Sequence, residues 1–145
     1  MSARARIDEI RSLALFRHFP EAKLEELARV LSARALPAGA FVFEDGSAGD
    51  ELFLLSGGQV RIEKEMEGEG VAELAILSPG DVFGEMALLR GTARTATVTA
   101  ATPSRLWILS RASLQEAIRR APPLGAKLHE MMRRRELANA LRALQ

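Results

Sequence analysis

Cysteine is absent from all 145 residues. That excludes a disulfide framework, a Cys-ligated zinc or iron–sulfur cluster and a thiol nucleophile. Histidine is scarce: only His18 and His129 occur, both outside the strand-rich middle of the chain. A metal enzyme built on a jelly roll therefore lacks its ligands. His129 precedes Glu130, but no second histidine follows at metalloprotease spacing. A haem sensor using His129 or a methionine as axial ligand is the one cofactor alternative. No Ser-His-Asp set or Walker loop is apparent. Gly68-Glu-Gly-Val-Ala-Glu is too partial a dinucleotide fingerprint and reads as a hairpin tip. The expectation is a binding module, not an enzyme, with no metal and no cofactor.

Long apolar runs are missing as well. The N-terminus, Met-Ser-Ala-Arg-Ala-Arg-Ile-Asp-Glu, has no signal-peptide core, and no later run is long enough to span a bilayer. The expected compartment is the cytoplasm. Net charge is +1, so no global field selects nucleic acid. Charge is nevertheless uneven. From Arg111 to Gln145, seven Arg and one Lys stand against three Glu, densest at Arg133, Arg134 and Arg135. The plain reading is a solvated helix face; the sharper one is a docking surface for an acidic protein effector.

What is present suits one globular domain over residues 1–145, with 48% hydrophobic and 27% charged residues. Residues 1–32 read as helical. Ile7 to Leu15 forms a short helix, and Leu24, Leu27, Ala28 and Leu31 mark one buried face of a second. Pro20 suits that helix's first turn. Residues 33–109 are short apolar segments divided by Gly, Pro and Asp turns, the pattern of a β-roll or jelly roll of about eight antiparallel strands. From 110 onward two helices are expected. Ser110 caps one over Leu114, Ala117 and Ile118. After the Pro122-Pro123 break a second begins near Leu124, with Leu128, Met131, Leu137, Leu141 and Leu144 as its apolar residues. The fold class is α+β, a β-roll flanked by N-terminal and C-terminal helices.

Residues 83–98, Phe-Gly-Glu-Met-Ala-Leu-Leu-Arg-Gly-Thr-Ala-Arg-Thr-Ala-Thr-Val, concentrate the chemistry. Gly84 permits an unusual backbone angle or a close approach. Glu85 to Leu89 has the composition of a short helical turn, whose first N–H groups face an anion, and Gly91 ends it. In the strand expected over Thr95 to Ala100, alternation puts Arg94, Ala96, Val98 and Ala100 on one face, the buried one. An inward guanidinium needs an anion. Either Glu85 supplies it as an internal ion pair, or a bound phosphate does, held by paired N–H···O bonds. In the second case Glu85 is better suited to accept from a sugar hydroxyl.

This segment resembles the phosphate-binding cassette of cyclic nucleotide-binding domains, the family of catabolite activator proteins, protein kinase A regulatory subunits and cyclic-nucleotide-gated channels. Asp45-Gly-Ser-Ala-Gly-Asp, Leu55-Ser-Gly-Gly-Gln-Val and Ser78-Pro-Gly-Asp look like further turns of that family. The resemblance implies a sensor of cAMP, with cGMP second and cyclic dinucleotides a lesser option. It implies that Arg94 grips the phosphate and Glu85 the ribose 2′-hydroxyl. Gly84 and Ala87 offer backbone N–H groups beside Phe83 and Met86, and Thr95 reaches the phosphate or a guanine amino group. It also implies that the last helix closes as a lid. There Ala138 and Asn139 fall where relatives carry a base-contacting pair; only Asn139 can hydrogen-bond a purine edge. Relatives acting on DNA continue into a helix-turn-helix, which these residues do not include. The expectations are a stand-alone sensor, with a ligand-less interaction module or the sensor part of a larger regulator as alternatives, and a homodimer left open.

Overall fold

The computed structural model describes residues 2–143, except the side chains of Ala14, Asn139, Arg142 and Ala143. Helix α1 (Ala3–Ser12) leads through a 3₁₀ turn (Ala14–Phe16) to α2 (Glu21–Val30). Pro20 is the N-cap of α2, one position earlier than expected. Eight strands follow: β1 (Ser32–Leu36), β2 (Phe41–Phe43), β3 (Glu51–Gly57), β4 (Val60–Met66), β5 (Gly70–Leu77), β6 (Val82–Phe83), β7 (Thr97–Ala100) and β8 (Ser104–Ser110). A six-residue helix, α3 (Glu85–Arg90), sits between β6 and β7. Helices α4 (Arg111–Arg120) and α5 (Pro122–Ala143) finish the chain.

All strand pairs are antiparallel, in two four-stranded sheets ordered β1-β8-β3-β6 and β2-β7-β4-β5. The expected β-roll of eight strands with helices at both ends is what forms. The first sheet explains the unbroken apolar runs Leu52-Phe-Leu-Leu and Leu106-Trp-Ile-Leu, because it is buried on both faces. Leu52, Leu54, Trp107 and Leu109 pack against the helices. Phe53, Leu55, Leu106 and Ile108 pack against Val42, Val60, Leu77 and Val98 of the second sheet. The second sheet shows solvent its other face, so its strands alternate.

Two expectations need correction. The strand expected over Thr95 to Ala100 begins only at Thr97, with Thr95 and Ala96 in a bend. Arg94 thus lies in the loop before β7, not at the start of a strand. It still points inward, 4% exposed, because the β2–β3 loop clamps its backbone: Arg94 N–H donates to Ser47 O at 2.8 Å, and Gly46 N–H to Arg94 O at 2.8 Å. The second correction concerns α5. Pro122-Pro123 does not precede the helix; it forms its first turn, where the missing N–H groups cost nothing. Leu124 and Leu128 are fully buried and Met131 is partly so, but Leu137 and Leu141 are exposed, since α5 has by then run past the helical core. Leu144 lies outside the described residues.

Candidate binding site

The segment 83–98 folds as a cradle. Gly84 closes β6 and caps α3 at φ 88°, a left-handed conformation that favours glycine. A Cβ there would lie 2.8 Å from Arg94 Nη1, 3.1 Å from Glu51 O and 3.1 Å from Phe53 Cδ2. Gly91 ends α3 at φ 67°. Gly49 lets the β2–β3 loop press on α3, since a Cβ there would meet the Ala87 methyl at 2.3 Å. Arg111 ties the assembly to α4, donating to Leu88 O at 2.9 Å and Gly49 O at 3.1 Å.

The cradle forms one wall of a cavity of about 450 Å³. Phe83, Gly84, Glu85, Met86, Ala87, Arg94 and Thr95, seven of the eight sequence candidates, all line it. Ile62, Lys64 and Met66 of β4 and Leu74 and Ala75 of β5 face them, and Arg135 and Ala138 of α5 border it. Asn139 is on α5, but its side chain lies outside those described. A second cavity, about 340 Å³, lies between α2 and α4 and touches none of these residues.

Arg94, expected to point inward, is buried, and so is Glu85. The Arg94 guanidinium donates from Nη1 to Gly84 O at 2.8 Å and from Nη2 to Glu51 O at 2.7 Å. Its carbon lies 4.2 Å from the centroid of the Phe43 ring and 5.5 Å from that of Phe53. Nε has no hydrogen-bond partner among the described residues. Burial lowers the Arg94 pKa; the nearby charges of Glu51, Asp50 and Glu85 act the other way. Its hydrogen-bond partners are neutral carbonyls, so the cation is oriented but not neutralised.

Glu85 is not its ion-pair partner, and that open alternative is thereby resolved. The fully buried Glu85 instead accepts from Arg135 of α5, whose Nη1 is 2.6 Å from both carboxylate oxygens. Arg135 Nη2 donates to Val82 O. One turn of chemistry away, Arg90 of α3 pairs with Glu136 of α5. The sequence reading missed Arg135 because it stands in the Arg133–Arg135 cluster, taken for a solvated face. A signal existed: Leu124, Leu128, Met131 and Arg135 follow the i, i+4, i+7, i+11 line of one helix face. Lys64 was also missed. Its ammonium donates to Thr95 O at 2.6 Å, with Asp45 at 3.8 Å.

A cavity with a fixed, uncompensated guanidinium at one end, a buried carboxylate beside it and apolar strands opposite suits a small anion bearing hydroxyls and a flat ring. Residues 33–121 match the model of the cyclic nucleotide-binding domain. The chain belongs to that family. A cyclic nucleotide-gated potassium channel of Mesorhizobium japonicum is 36% identical over 80% of this chain and 31% of its own length. A cGMP-dependent protein kinase of Caenorhabditis briggsae is 34% identical over 67% of this chain and 13% of its own. The crystal structure of the Thermus thermophilus catabolite activator protein superposes with a TM-score of 0.80 at 30% identity, covering 89% of this chain and 61% of that one. The chain thus spans less than a third of the length of these two curated relatives. The cyclic nucleotide-binding domain is a regulatory module and not itself a catalyst. Among the described residues, no helix of this one is long and apolar enough to cross a membrane.

Proposed function

We propose that this cyclic nucleotide-binding domain is a sensor, alone or within a larger regulator, that binds a cyclic nucleotide monophosphate between Arg94 and Glu85. The observation that carries the reading is Arg94: a cation 4% exposed, held by two carbonyls and two aromatic rings and lining the cavity. A singly charged phosphodiester supplies the missing charge through two parallel N–H···O bonds. Glu85 accepts from the ribose, and Gly84 and Ala87 bring backbone N–H groups close to the sugar and phosphate. The ligand-less interaction module requires Arg94 to be paired internally. Its guanidinium has no carboxylate partner among the described residues, which favours the ligand reading.

The base lies against Ile62, Met66, Leu74, Ala75 and Ala138 in this arrangement. Apolar walls penalise each polar edge left unpaired. Guanine carries more such groups than adenine, which supports cAMP over cGMP. Calorimetric titration of the folded, nucleotide-free protein with both tests this. Saturable heat is expected with each, with cAMP the tighter; no heat with either overturns the sensor reading.

The lid is the second part of the proposal. Ligand binding drives α5 onto the base only if the closed state binds it better. Removing residues 136–145 takes away Glu136 and Ala138 and leaves the core residues Leu124 and Leu128. Affinity is expected to fall and the preference between cAMP and cGMP to disappear. Unchanged affinity and preference in the shortened protein would remove α5 from the mechanism.

A further inference from the structure

Helices α2 and α4 each have one side in the helical core. Leu24 and Ala28 of α2 and Leu114 and Ile118 of α4 pack there. A neighbouring side of each lines the second cavity instead. On α2 it carries Lys23, Glu26, Leu27 and Val30, and on α4 Ser113, Glu116, Ala117 and Arg120. Both sets follow the i, i+3, i+4, i+7 spacing of one helix face. The cavity between them measures about 340 Å³. Protein interiors keep few voids larger than a water molecule. This one has roughly twice the volume that admits a single benzene ring, within the range of about 300–1,000 Å³ of small-ligand pockets.

The charges on its walls leave one cation over. Arg120 crosses from α4 to α2, with Nη1 3.2 Å from Glu26 Oε1, and its Nε donates to Glu116 at 2.8 Å. Arg119 also donates to Glu116, from Nε at 3.0 Å. Two carboxylates are thus matched by two guanidiniums. Lys23 remains. It is half-buried, and its ammonium has no hydrogen bond or ion pair among the described residues. Apolar walls at Phe19, Leu27, Val30 and Ala117 share the cavity with it. An ammonium partly withdrawn from water gains from an anion. Inorganic phosphate would make no use of the apolar walls, and a cationic ligand would be repelled by Lys23.

We infer that the cavity between α2 and α4 is a second ligand site, taking a small carboxylic acid with an apolar body the size of about two rings, whose carboxylate meets Lys23. The site shares no lining residue with the nucleotide cavity.

The probe is 2-naphthoate, with 2-naphthylmethanol as its uncharged counterpart. Each is titrated into the full chain and followed by proton–nitrogen NMR of the backbone amides. Naphthoate is expected to saturate with a dissociation constant of about 1 mM or below, as suits a ligand of this size, shifting amides of α2 and α4. The alcohol is expected to bind about threefold to tenfold more weakly, the worth of one partly exposed charged contact. Lys23→Gln is expected to remove that difference by weakening the acid alone. Ala117→Phe fills the cavity and is expected to remove binding of both. Ala112→Phe, at an exposed position of the same wall, replaces it should Ala117→Phe fail to melt cooperatively. No saturable shift with naphthoate, or shifts confined to the cradle and β4, overturns the second site. So does undiminished binding in a folded cavity-filling variant. Unchanged naphthoate affinity in Lys23→Gln overturns the carboxylate assignment.

Discussion

Arg94→Ala is expected to abolish the thermal stabilisation that cAMP gives the wild type. Among the described residues, Arg94 is the one cation lining the cavity that is fixed by carbonyl contacts on both terminal nitrogens. Removing it deletes a charge-assisted pair of bonds and leaves the phosphate against Phe43 and Phe53. Two bonds to a charged group are together worth about 3 kcal/mol or more, a loss of at least a hundredfold in affinity. The wild type at saturating ligand should gain about 3 kcal/mol, or roughly 6–12 °C in melting temperature. The variant should gain about 0.5 kcal/mol or less, no more than about 2 °C, at the same concentration. Its own melting temperature, measured without ligand, is expected to stay within a few degrees. The lost hydrogen bonds and ring contacts are offset by removal of a buried charge with no counter-ion. Differential scanning fluorimetry with and without cAMP reads both quantities. A variant stabilised as much as the wild type would show that Arg94 does not hold the ligand.

The other large effect is expected at Gly84. In Gly84→Val a β-branched residue is forced to φ 88°. Its Cβ falls 2.8 Å from Arg94 Nη1 and 3.1 Å from a backbone oxygen, Glu51 O, which cannot yield like a flexible side chain. Backbone strain and overpacking each cost about 1–3 kcal/mol, so the sum is about 3 kcal/mol or more. Denaturant unfolding should show an unfolding free energy lower by that amount, with the midpoint lowered in proportion. Binding should fail too, since Arg94 is pushed from the carbonyls that aim it. Gly84 thus joins stability and recognition, unlike Arg94. A Gly84→Val protein of wild-type stability would mean that β6 and α3 are joined in a different geometry.

Much of this could be read along the chain. The apolar runs at Leu52 and Leu106, the alternation at Val60 and Thr97, and the Gly and Pro turns are local patterns. They specified the helices and a roll of about eight antiparallel strands between them. The cassette was legible for the same reason: Gly84, Glu85, Gly91 and Arg94 act within a dozen residues, and each needs a particular backbone angle or a charge. Alternation placed Arg94 inward although its backbone is loop. The clamp from Ser47 and Gly46 came from another part of the sequence.

What only the tertiary structure decided is which charges meet. Glu85 had two candidate roles in the sequence, and nothing local separates them. Its partner lies 50 residues away, at Arg135. Pairing at that separation depends on how far α5 travels and how it is rotated. Both are set by Leu124 and Leu128 packing under the roll and by the Pro122-Pro123 start. In a cluster of three arginines the residue names are identical, and only the helix phase tells the half-buried one from its exposed neighbours. Composition and motif therefore determined the cradle and its chemistry. The assembled core determined that the carboxylate pairs with α5 and left the Arg94 guanidinium with carbonyls and aromatic rings, because long-range contacts are fixed by packing and not by spacing.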